Sequence, residues 1–166
     1  MYETEDDLAE LQALLDRSYE RAGPHLLEIH TPERRLTASA LVERLQGVCV
    51  LSLATVTADG RPLVGPVDGI FYRGAFWFGT GSSAVRAHHL ARNPAVSGTY
   101  AVGESLAVTV HGEARKVDLN DEEGFVAVCR EIYGAGWGEW AGPASYYRVG
   151  ARAVFTFSMD GPSEDC

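Results

Sequence analysis

Hydroxyls and a guanidinium crowd residues 80–86, where Thr80, Ser82, Ser83 and Arg86 follow the aromatic run Phe76-Trp77-Phe78. Apolar aromatics before and Arg92-Asn93-Pro94 after make this a strand, a hydroxyl-rich turn and a short helix. That order brings side-chain hydroxyls, the free N–H groups of a helix start and one fixed positive charge to the same spot. The arrangement is an anion site of the phosphate type. It stands out in a chain whose formal net charge is −9.

The histidines say less. His88 and His89 are adjacent, so on a helix they diverge by about 100° and cannot share a metal. No H-x-x-x-H or H-E-x-x-H spacing occurs, and no metal is expected. His88 or His89 reads either as an extra phosphate or ligand contact or as a solvent-facing ring. His111 falls on a strand, and His25 and His30 in an irregular N-terminal stretch. Neither a G-x-S-x-G elbow nor a Ser-His-Asp pattern is present. Asp68 follows Pro66-Val67 in an apolar strand and precedes Gly69, so it is either a cleft carboxylate or a partner for a turn. No side chain is an obvious general acid; the candidates are Asp68, His88 and Tyr100, with solvent as the alternative proton source. Trp77 alternates on its strand as packing. Trp137 and Trp140 occupy a glycine-rich loop, where an aromatic either covers a planar ligand or anchors the loop.

The elements that position these groups are read from period and punctuation. Residues 5–21 are a helix with Leu8, Leu11, Leu14 and Leu15 on one face and acids in the first turn. Residues 26–35 have no clear period. Thr37 caps a second helix that ends at Gly47. Strands are expected at 48–56, at 61–72 with an interruption at Pro66, at 75–80, 95–102, 105–117 and 151–158. The turns are Asp59-Gly60, Arg73-Gly74 and Gly103-Glu104. Pro66 implies an edge, a bulge or a break in pairing. Residues 83–92 form the short helix, with the serines as caps, and Asn120 or Asp121 caps another that runs to about Tyr133. Short antiparallel strands joined by tight turns make a mainly β fold with peripheral helices, an α+β chain built on a small closed barrel. Residues 1–47 are a helical extension, 48–158 the barrel and 159–166 a tail.

The 166 residues suit one domain, and an acidic balance argues against a nucleic-acid surface. The three cysteines, Cys49, Cys129 and Cys166, are far apart; Cys49 and Cys129 read as buried thiols in a reducing, cytoplasmic setting. The acidic start does not read as a signal peptide, and no apolar run approaches the length of a membrane span.

The run Leu53 to Pro62, then Pro66-Val67, Thr80 through His88, Asn93-Pro94 and Val108-x-Val110-x-Gly112-x-Ala114 resembles the split-barrel flavoproteins. These comprise the pyridoxamine 5'-phosphate oxidase-like proteins and the deazaflavin (coenzyme F420) dependent reductases. The resemblance covers residues 45–158. It implies a homodimer with FMN or coenzyme F420 in grooves at the subunit interface, and hydride transfer to a small planar organic substrate. It implies a phosphate held by Thr80, Ser82, Ser83 and Arg86, a ring floor at Thr55, Pro66, Val67 and Asp68, and a lid at Trp137 or Trp140. Ala84 and Arg86 stand where relatives often carry serine and lysine. From Leu63 to Tyr72 the second strand has no basic residue, unlike the oxidase proper. Other expectations for the same fold are a haem-handling protein with a histidine ligand, a flavin carrier without turnover, and a structural dimer without cofactor.

Overall fold

A computed structural model describes residues 1–139 and 143–161. Trp140, Cys166 and most of the expected tail lie outside the described residues.

Six antiparallel strands close into a barrel in the order β1-β2-β3-β6-β5-β4. They are β1 (Val48–Val56), β2 (Pro62–Tyr72), β3 (Ala75–Gly81), β4 (Ala95–Val102), β5 (Leu106–Val117) and β6 (Ala144–Ser158). Alternation puts Leu51, Leu53, Val67, Phe71, Phe76, Phe78, Val108, Val110, Val149 and Val154 inside. The β2–β3 hairpin turns through Arg73 and Gly74, with φ of 49° and 72°. Both residues are left-handed, as a two-residue turn between twisted strands requires. At a bulge between His111 and Gly112, a Cβ on Gly112 would lie 2.2 Å from the Gly150 carbonyl oxygen. Only glycine fits there.

Two expected boundaries change. β2 runs through Pro66 without interruption: Pro66 pairs with Ser52 of β1, while β3 joins β2 only from Gly69 onward. The proline thus sits on a stretch with one neighbour, where its missing N–H costs no ladder bond. β6 begins at Ala144, seven residues before the expected 151, because it pairs with β3 from Ala144 to Arg148.

The helices are α1 (Glu5–Glu20), α2 (Pro24–Ile29), α3 (Ala38–Arg44), α4 (Val85–Arg92) and α5 (Glu123–Tyr133). α1 opens with a capping box between Thr4 and Asp7, and Thr37 caps α3 by accepting from Ala40 N–H. The stretch without period contains α2 and a 3-10 turn at Pro32–Arg34. The helix expected from Asn120 or Asp121 starts at Glu123; Asp118 instead caps a 3-10 turn, Leu119–Asp121.

α1 closes a gap in the sheet. Beyond Arg148, β6 has no β3 partner, so the N–H groups of Val154 and Thr156 face away from β5. Ser18 Oγ accepts from Val154 N–H at 3.0 Å, and Tyr19 Oη accepts from Thr156 N–H at 2.8 Å. Tyr19 also donates to the Thr156 carbonyl, and Thr156 Oγ1 accepts from Leu36 N–H. Buried backbone groups need such partners.

α5 lies on the outer face of β2, β3 and β6, where a second apolar cluster forms around Ile70, Trp77, Phe125, Val128, Cys129 and Trp137. Trp77 and Phe125 stack at 4.6 Å between centroids, worth about 0.5–1.5 kcal/mol beyond area burial. No helix among the described residues is long and apolar enough to cross a membrane.

Candidate functional site

The turn from β3 to α4 is held by its backbone. Ser82 N–H donates to the Pro143 carbonyl at 3.1 Å, and Ala84 N–H to the Gly81 carbonyl at 2.9 Å. The Ser82 and Ser145 hydroxyls are 3.3 Å apart. Neither serine caps the helix, contrary to the expectation. The N-cap is Ala84, with no side-chain hydrogen bond, and the helix starts at Val85. The first-turn N–H groups of α4 therefore keep their donor capacity at the positive end of the helix dipole.

Arg86 projects from that first turn. Its Nη2 donates to the Pro66 carbonyl at 3.1 Å, and the chain narrows there to glycine: a Cβ on Gly65 would meet Nη2 at 3.1 Å. The guanidinium is half-buried, and burial lowers its pKa from the usual arginine range. It makes no ion pair with any described carboxylate. An uncompensated, partly desolvated cation beside an uncapped helix start is an environment that stabilises an anion.

The other expected residues separate by strand parity. Pro66 and Asp68 are exposed on β2, whereas Val67 is buried in the barrel; only Val67 backbone is available to a ligand outside. Thr55 is also buried, and its Oγ1 lies 3.0 Å from His89 Nδ1. The sequence singled out His88, which is exposed with Nδ1 3.1 Å from the Ala84 carbonyl. His89, weighed from the sequence as a ligand contact or a solvent-facing ring, instead ties α4 to β1. Its signal was Thr55, a lone hydroxyl on an otherwise apolar inward face. Trp137 is buried and meets Tyr146 edge-to-face at 5.4 Å, so it anchors its loop. Tyr100 is half-buried, and burial raises its pKa. The remaining histidines are apart from this site: His30 contacts the Thr156 carbonyl and His111 the Ser97 hydroxyl. Among the described residues no three His, Cys, Asp or Glu side chains group as metal ligands.

Thr80 has a second neighbourhood. With Asp68 it borders a cavity of about 210 Å³ between the sheet and α5. Trp77, Phe125, Trp137 and Tyr146 supply flat walls, and Cys129 and Tyr133 add a thiol and a phenol. Burial pushes both up to about 12, and the Asp68 charge adds to the effect on Tyr133. The α5 residues escaped the sequence reading because nothing local says which face of the sheet the helix covers.

A family model described as pyridoxamine 5'-phosphate oxidase matches residues 37–161. No curated protein matches the chain. Among solved structures, conserved hypothetical protein Rv2991 from Mycobacterium tuberculosis is similar with a TM-score of 0.66 and 19% identity over 76% of this chain and 87% of that one. An F420 reductase aligns with a TM-score of 0.54 and 18% identity over 66% of this chain and 91% of its own. A heme binding protein from Mycobacterium smegmatis aligns with a TM-score of 0.57 and 19% identity over 76% and 54%. At such identities the likeness is one of fold. The family model spans the barrel and the α3 cap, and with it the chain belongs to the pyridoxamine 5'-phosphate oxidase family.

Proposed function

We propose that this chain is a homodimeric oxidoreductase that binds FMN or coenzyme F420 and acts on a small planar organic substrate. The observation that carries the reading is the uncapped start of α4 with Arg86 beside it, half-buried and without a carboxylate partner. Thr80, Ser82, Ser83 and Arg86 would hold the phosphate. The exposed Pro66 and Asp68 and the backbone of Val67 would face the ring, with Thr55 acting through His89 to seat α4. When bound, the cofactor supplies the hydride chemistry. The F420 reductase among the structural neighbours supports this reading, and the family match supports flavin-related redox chemistry.

The dimer rests on an apolar surface. Val48, Val50 and Val64 face outward from β1 and β2, with exposures of 37%, 51% and 71%. Exposed apolar side chains sharing one sheet face support an interaction site there. The reduced Cys49 and Cys129 suit a cytosolic protein.

The test is an absorption spectrum of the purified protein followed by titration with FMN and with coenzyme F420. Saturable binding of one of them supports the proposal and chooses the cofactor. A Soret band would support the haem-binding alternative instead, and binding of neither cofactor would overturn the reading.

A further inference from the structure

The cavity under α5 has a definite chemical bias. Its walls are aromatic, with Trp77 stacked on Phe125 and Trp137 edge-on to Tyr146. Its polar side chains are the phenols of Tyr133 and Tyr146, the Cys129 thiol and the Asp68 carboxylate, with Thr80 at its border. The thiol and both phenols stay protonated at neutral pH, since burial raises all three. Among the described residues Asp68 is thus the one carboxylate on the lining. It makes no ion pair with any described residue. Among the described residues no arginine, lysine or histidine lines the space; Arg148 stands 6.0 Å over the Trp77 ring but is not part of the wall.

Size narrows the occupant. A dry cavity of about 150 Å³ accepts benzene, so about 210 Å³ suits one or two fused rings. The space also reaches the end of β3 that leads into α4, because Thr80 and Gly81 close that strand and line the cavity.

We propose that this cavity is the substrate subsite, and that it takes a flat one- or two-ring molecule whose cationic or N–H-bearing substituent is received by Asp68. The assignment rests on the reading of the α4 start as the cofactor's phosphate site, which makes the adjoining space the substrate's. The flat walls accept the ring faces. The carboxylate attracts a donor, repels carboxylates and phosphates, and so selects by charge as well as by shape. A substrate with its own phosphate would find no cation in this wall.

The experiment is calorimetric titration of the full chain, without added FMN or coenzyme F420, with three indoles of matched size. These are tryptamine, indole-3-propionate and 3-ethylindole. Tryptamine should bind at least tenfold more tightly than indole-3-propionate. Asp68→Asn should weaken tryptamine more than tenfold and leave 3-ethylindole unchanged. Equal or tighter binding of the propionate, binding of none of the three, or a preference that survives Asp68→Asn would overturn the assignment. The cofactor titration reports separately on the α4 start, so failure of either reading is visible without the other.

Discussion

Arg86 of α4 reaches across to β2 and donates from Nη2 to the carbonyl of Pro66, 3.1 Å away. One side chain thereby joins the helix that opens the anion site to the strand that would carry the ring. A proline carbonyl accepts one such bond and does not neutralise the cation, so the positive charge stays available.

Arg86→Ala is accordingly expected to weaken FMN or coenzyme F420 by about 1.5–3 kcal/mol, the usual range for a charge-assisted hydrogen bond, or roughly 10- to 150-fold. Fluorescence titration measures this directly. Arg86→Lys should retain part of the affinity, as it keeps the charge and loses the planar fork. Unchanged affinity in Arg86→Ala would move the phosphate elsewhere.

The apolar patch gives an expectation about mass. Light scattering should find twice the 17.9 kDa of one chain. Val64→Arg places a charge where the side chain is 71% exposed in the single chain. It should yield monomers that have lost cofactor affinity but melt cooperatively. A parent protein that is monomeric at working concentration would sink the interface.

Tyr19 offers a stability test remote from the site. Its hydroxyl accepts from Thr156 N–H and donates to the Thr156 carbonyl, both at 2.8 Å. Tyr19→Phe strips a buried N–H of its partner and should cost about 1–3 kcal/mol, read from urea midpoints at unchanged slope. A loss below a few tenths of a kcal/mol would mean that β6 finds another partner.

The buried thiols set an alkaline limit. Burial pushes Cys49 up to about 11 and Cys129 up to about 12, against about 8.5 in an unfolded chain. A raised folded pKa means that the native state holds protons which the unfolded state releases. The contribution is complete below pH about 8.5 and is lost as pH rises toward the folded values. Stability should therefore fall between pH 9 and 11. The decline should be shallower in Cys49→Ala, measured relative to that variant's own stability at pH 7. Parallel curves for parent and variant would refute the cause.

Most of the barrel was legible from the chain. β1 to β5 follow from alternation and from turns such as Arg73-Gly74, because each has one inward apolar face and a different outer face. The first half of β6 was hidden for the opposite reason. Its inward face carries Ser145 beside Tyr147 and Val149, and its outer face carries Tyr146 under the cover of α5. With apolar and polar groups on both sides, the period disappears. At the site, the hydroxyl-rich turn and Arg86 could be read locally. The contact with Pro66, the bond from Thr55 to His89 and the aromatic cavity could not, since each joins residues brought together only when the barrel closes.

The seal that α1 places over β6 also bears on how many copies assemble. An unpaired strand edge invites a further chain to add to the sheet. Ser18 and Tyr19 occupy the donors of that edge within the same molecule. The proposed dimer would then use the face along β1 and β2. Association through a single self-complementary face is satisfied by two copies and then stops. In that proposed assembly the N-terminal helices would limit the valency of the barrel, so that association closes on itself instead of propagating strand by strand.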